Sequence, residues 1–187
     1  MIETFSFSHP GGLENYLDKV YVSYGKNTFA TIVNGNNDEE SCLRLSKAIH
    51  ATFENNVDNI SFENVSSEIS KHVRSVDEYL LVRINDNSIV TEQHGGVRGY
   101  LVRDGNIVRL TNGLITLVNE DRVLLSTDRF LLKLSEEMIL VDALTSLSAE
   151  EWMDFLVNRI SEENMLVGEN LSAVTIIVRN AEDVKLA

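Results

Sequence analysis

The segment Gly95-Gly-Val-Arg-Gly-Tyr-Leu-Val-Arg-Asp-Gly-Asn-Ile-Val-Arg-Leu-Thr111 decides the architecture. At its centre, Asp104-Gly105 accepts the positive φ angles of a two-residue hairpin turn. Gly99–Arg103 is therefore expected to fold back antiparallel onto Asn106–Leu110. Alternating or apolar runs bounded by turn residues extend this β block on both sides. They predict strands near Glu78–Ile84, Ser88–Gln93, Val97–Arg103, Asn106–Thr111, Leu114–Val118 and Arg122–Ser126. The connections are too short for helical crossovers, so the block is antiparallel.

Further upstream, strands are expected near Ile2–Ser8, Lys19–Tyr24 and Thr28–Val33. From Asp38 the apolar period changes. Cys42, Leu45, Ile49 and Phe53 form one helical stripe, and Phe62, Val65, Ile69, Val73 and Val76 the next, predicting helices over Asp38–Phe53 and Phe62–Val76. The acidic Asp38-Glu39-Glu40 suits the first helix's N-terminus. Helices return near Glu136–Leu144 and Ser148–Ile160. Ser148-Ala-Glu-Glu151 is a capping box: the Ser148 hydroxyl accepts from the Glu151 amide, the Glu151 carboxylate reaches back, and Leu147 staples onto Trp152. Trp152, Phe155, Leu156 and Ile160 supply the buried stripe. The closing strand, Ser172–Arg179, is apolar on both faces in its middle, as a strand covered on both sides should be.

Each amphipathic helix pair needs an apolar sheet face, and two such pairs with about ten strands meet that need as two stacked sheets with helices outside. The expected fold class is α+β, a four-layer αββα sandwich of mainly antiparallel sheets. It is read as one domain over 1–187, with a core over 1–179 and a polar, frayed tail over 180–187.

The 187 residues are 43% hydrophobic and 24% charged, enough for a sizeable core without a disulfide or metal staple. Sixteen Lys and Arg against 29 Asp and Glu leave a net charge of −13. A phosphate backbone or an anionic leaflet repels such a chain, so nucleic acid and membrane are not expected partners. The single Cys42 excludes an internal disulfide and a multi-cysteine zinc site, and fits a reducing, cytoplasmic compartment. No signal peptide is visible, and no apolar run approaches the ~20 residues that span a bilayer.

With these elements in place, the chain resembles the PPM family, the PP2C-like metal-dependent protein serine/threonine phosphatases. Gly95–Thr111 is similar to the family hairpin GDSRxYLxRxGxIxxLT. Thr28-Phe-Ala-Thr-Ile-Val-Asn-Gly35 resembles FAVxDG, Val123-Leu-Leu-Ser-Thr-Asp128 resembles LLxTDG, and Glu169-Asn-Leu-Ser-Ala-Val-Thr-Ile-Ile-Val178 resembles DNxTxxxV, all in family order. The resemblance implies two Mn²⁺ or Mg²⁺ ions between the sheets, holding a water that attacks a phosphoserine or phosphothreonine.

It also implies the ligand positions, and here the chain departs from the family. The bridging aspartate is Asn34, followed by Gly35. Arg129 replaces the glycine after Asp128, and Glu169 stands for the last aspartate, before Asn170. In the opening motif, roughly R-x-x-N-E-D, Asn15 and Asp18 are retained, Leu17 replaces the acidic ligand, and Gly12 stands where a phosphate-binding arginine is expected. Gly96 replaces the hairpin's aspartate, while Arg98 matches the arginine that supports the hairpin beside the site. The available carboxylates are Asp128 and Glu169, with Asp18 or Glu14, against about +4 on an ion pair.

Structural alternatives accompany each assignment. Asp128 could cap the following turn, Glu169 could be a solvated loop acid, Asn34-Gly35 could close a hairpin, and Arg98 could be a surface residue. Cys42 reads as core. His9, His50, His72 and His94 lack ligand spacing, with His50 and His72 placed on helices. Two functions stay open: a pseudophosphatase or strongly impaired phosphatase that engages a kinase, phosphoprotein or scaffold, and an active divergent Mn/Mg-dependent protein phosphatase. The losses concentrate at chemical positions while the strand and helix patterns are intact, which favours the first.

Overall fold

A computed structural model describes residues 1–12, 14, 16–34, 39–55, 61–74, 78–85, 87–132, 134–162 and 170–179. The strands are β1 (Ile2–His9), β2 (Lys19–Ser23), β3 (Thr28–Asn34), β4 (Glu78–Asn85), β5 (Ser88–His94), β6 (Arg98–Arg103), β7 (Asn106–Arg109), β8 (Gly113–Thr116), β9 (Arg122–Ser126) and β10 (Leu171–Val178). The helices are α1 (Glu39–Asn55), α2 (Phe62–Ser70), α3 (Glu136–Thr145) and α4 (Ala149–Glu162). One sheet has the order β1-β10-β9-β6-β7 and the other β2-β3-β4-β5-β8, with antiparallel neighbours throughout.

Strand alternation sends successive side chains into different apolar layers. Ala30, Ile32, Leu80 and Val82 of one sheet meet Leu101, Val123, Val174 and Ile176 of the other. The opposite faces are covered by helices. Tyr100, Leu124 and Ala173 pack with Ile139, Trp152 and Leu156, while Phe29, Val33, Tyr79 and Leu81 pack with Cys42, Leu45, Ile49, Val65 and Ile69. Three apolar layers between four structural ones make the expected αββα sandwich. β10, interior in its sheet, is buried along its whole length, which explains its apolar run on both faces.

The Asp104-Gly105 turn forms as expected, with φ of 50° and 72° and Arg103 paired to Asn106. Four local expectations are corrected. Asn34 closes no hairpin, because the next described element after β3 is α1 rather than an adjacent strand. In the capping box the Ser148 hydroxyl does accept from the Glu151 amide at 3.0 Å, but the Glu151 carboxylate takes the N–H of Leu147 at 2.6 Å. The Leu147 staple is also absent: its backbone is held by Glu151 and Arg179, and its side chain is 81% exposed. Finally, His72 lies in the turn after α2 rather than on the helix. The segment from Arg109 to Arg122 is used by β8, which pairs with β5 and extends the second sheet.

Candidate functional site

Antiparallel order brings distant sequence positions to one end of the sandwich. β2, β4, β6 and β10 begin there, while β1, β3, β5 and β9 finish there; the register pairs His9 with Leu171, Lys19 with Val33, Asn34 with Glu78, and Ser126 with Arg98. Asp18, Asn34, Arg98, Asp128 and Asn170 therefore share this end. Glu169 and Gly35 lie outside the described residues, as do Asn15, Asp38 and the 180–187 tail.

Asp18 is buried, 2% exposed, and serves as a clasp between the sheets. The Ser172 hydroxyl donates to its Oδ2 at 2.9 Å, and the Tyr16 phenol, 2.7 Å from the same hydroxyl, supplies the next proton in the chain. Burial raises the Tyr16 pKa above that of a free phenol, and the charge of Asp18 adds to the effect. Beside it, the Leu17 amide donates to the Asn170 side-chain oxygen at 2.8 Å, and the Cys42 thiol donates to the Leu17 carbonyl. Two positions of the opening and closing motifs thus tie β2 to β10.

Asn34 shares the inter-sheet face with Ile32 and Ala30, and its amide donates to Glu78 Oε2 at 3.0 Å. Glu78 in turn fills the space against Gly95 and Gly96. A Cβ on Gly95, whose φ is +78°, would fall 2.3 Å from Glu78 Cγ. A side chain at Gly95 would have to displace Glu78, whereas one at Gly96 would press on the carboxylate, whose Oε2 lies 3.0 Å from the Cβ position.

Asp128 follows β9, half-buried, and its backbone carbonyl accepts from the Leu131 amide at 3.1 Å. Among the described residues its carboxylate has no hydrogen bond or ion pair, so no cap of the turn through its side chain is seen there. Arg98 pairs with Ser126 on the face of the first sheet that carries Tyr100 and Leu124, toward α3 and α4. Its Nε is buried, without a partner among the described residues. Arg129 is exposed, and Gly12 has a φ of +84°, a backbone that an arginine would strain.

The donor set can be tested against the ion pair that the resemblance implies. Among the described residues no three of His, Cys, Asp and Glu converge as a metal-binding group. Asp18 is committed to Ser172, and Asn34 presents an amide that is itself donating to a carboxylate. Among the described residues the donor set does not fit a two-ion site. Glu78, Tyr16 and Ser172 carry no sequence signal of their own at this end; only strand register shows that Glu78 faces Asn34 and that Ser172 points between the sheets.

No family model matches the sequence, and no curated protein matches it significantly. Solved structures do. The Mycobacterium tuberculosis serine/threonine phosphatase PstP/Ppp superposes with a TM-score of 0.75 at 14% identity, covering 96% of this chain and 99% of that one. The fold is that of the PP2C-like serine/threonine phosphatases. Stp1 of Staphylococcus aureus shares it with a TM-score of 0.77, 11% identity and 96% coverage of both chains. RsbX, solved in complex with magnesium, shares it at 0.74, 15% identity and 94% of both. The PstP catalytic domain has also been solved with two manganese ions. Within this PP2C-like fold, no helix among the described residues is long and apolar enough to cross a membrane.

Proposed function

We propose that this PP2C-like domain is a pseudophosphatase or strongly impaired phosphatase that acts as a binding or regulatory module in phospho-signalling. Its partner would be a kinase, phosphoprotein or scaffold in the cytoplasm. One observation carries the reading. The position of the family's bridging carboxylate is Asn34, whose amide is already spent on Glu78. Dication affinity rises with carboxylate count, and an amide supplies a dipole without charge. Gly12 adds to this by removing the cation that would position a phosphate, and positioning contributes heavily to phosphoryl transfer.

A second reading rests on Asp128. Among the described residues its carboxylate has no partner and so is available to a dication, as an active, divergent Mn/Mg-dependent phosphatase would require. Hydrolysis of p-nitrophenyl phosphate and of phosphopeptides, followed with and without millimolar Mn²⁺, separates the two. Little Mn²⁺-dependent turnover is expected. Robust turnover abolished by Asp128→Ala would establish the enzyme.

A further inference from the structure

β2 is an edge strand: it pairs with β3 on one side, and among the described residues no backbone hydrogen bond reaches it from the other. Such an edge is a template for another chain unless something covers it. Here the neighbouring helix overhangs the edge instead. α1 buries Cys42, Leu45, Ile49 and Phe53 on its own sheet, and the adjacent stripe at Leu43, Lys47, His50 and Glu54 projects past β2. A groove of about 310 Å³ results, with Lys19 and Tyr21 of β2 on its other wall.

The lining has a definite sign. In a chain of net charge −13, Lys19 and Lys47 meet at this groove, and among the described residues neither is paired with a carboxylate. Lys19 is held by the Tyr16 carbonyl at 3.0 Å, over the Tyr16 ring, which fixes its position without neutralising it. The one acid, Glu54, lies at the far end, 3.3 Å from His50. Leu43, 47% exposed, adds apolar surface. From residue 43 to residue 54 the helix rises roughly 16 Å, room for about five residues of extended chain.

We propose that this groove docks an extended, acidic segment of a partner protein. The segment adds to β2 as a sixth strand of its sheet and turns alternate acidic side chains toward Lys19 and Lys47. Backbone pairing supplies affinity, and the two lysines select charge. A second copy of β2 is a poor occupant because Lys-Val-Tyr-Val-Ser brings a further lysine and no acid. The proposal goes beyond the module reading, since an active phosphatase could use the same edge.

The test uses the full chain and three fluorescein-labelled hexapeptides that alternate Val with Glu, Lys or Ser. Fluorescence anisotropy gives affinity, and amide exchange locates the site. The Glu peptide is expected to bind at least ten times more tightly than the Lys peptide and to protect β2 amides but not those of the other sheet edge, β8. Lys47→Glu, an exposed substitution checked for folding by circular dichroism, should weaken the Glu peptide about tenfold. Equal affinity for all three peptides, protection at β8, or no effect of Lys47→Glu would overturn the assignment. So would concentration-dependent self-association that protects β2 without peptide. Phosphatase turnover, measured separately, bears on the catalytic reading alone.

Discussion

The two ends of the sandwich carry similar residue types and use them in opposite ways. At the end that holds the Asp104-Gly105 turn, Asp121 is 1% exposed and fully engaged. Arg103 grips it from Nε at 2.7 Å and Nη2 at 2.5 Å, and the Val118 amide donates to it at 2.7 Å. Arg103 also donates to the Thr116 carbonyl at 2.7 Å, so acid, base and loop close on one another. At the other end, among the described residues, Asp128 and the Nε of Arg98 are left without partners, and Asn34 spends its amide on Glu78. One end is finished as structure. The other leaves polar groups without partners among the described residues.

Exchanging the two aspartates between tests gives the largest expected effect. Asp121→Ala leaves a half-buried guanidinium and a loop amide unsatisfied, and should cost about 3 kcal/mol in urea unfolding. Asp128→Ala removes a carboxylate that holds nothing among the described residues, and should stay within about 0.5 kcal/mol. Equal losses would show that Asp128 is structural too and would erase the contrast between the ends.

The contrast also explains what could be read from sequence. The fold was legible because its signals are local and redundant: the Asp-Gly turn, the period change after Asp38, and the Ser148 cap each specify one element and agree with one another. Leu147 misled because a staple depends on where the loop's backbone is tied, and that is settled by Arg179, far along the chain. The end that holds Asp18, Asn34 and Asp128, the cleft end by resemblance, was legible only through that resemblance. Asn34 could be matched to a ligand position, but its partner Glu78 lies across a strand pair, and neither periodicity nor spacing reveals a register contact. Asp18 was readable as a retained acid; its commitment to Ser172 was not.

Recharging the cleft end sharpens the comparison at intermediate magnitude. Asn34→Asp sets a second carboxylate opposite Glu78 and loses the amide's hydrogen bond, so stability in EDTA should fall by about 1 kcal/mol. The loss should shrink as pH falls and the pair takes up a proton. Adding Leu17→Glu and Arg129→Gly raises the acid count and removes a cation, and calorimetry should then show Mn²⁺ affinity gained over the unmutated chain. Activity should gain less, because Gly12 still supplies no phosphate-binding cation. A triple variant with unchanged Mn²⁺ affinity would mean that these positions do not converge.

The smallest effect is expected from alkali, which should loosen the two ends unequally. Near the cleft end, Tyr79 is pushed well above its ordinary range by burial, and its hydroxyl donates to Glu92 Oε1 at 2.7 Å, so the negative charge of Glu92 further disfavours the phenolate. Tyr16 is raised for similar reasons. A phenol whose folded pKa exceeds its unfolded value of about 10 contributes its full stabilisation below pH 10 and loses it as pH rises toward the folded value, because the unfolded chain releases the proton first. At the turn end, Arg103 is instead raised chiefly by its hydrogen bond to Asp121, so the ion pair keeps its charge through the same window. Thermal midpoints should therefore decline above pH 10, less steeply in Tyr79→Phe. Amide exchange should accelerate in β4 and at the start of β10 before it does so in the β6–β7 hairpin. If the hairpin opened first, the closed ion-pair network would not be the firmer of the two ends.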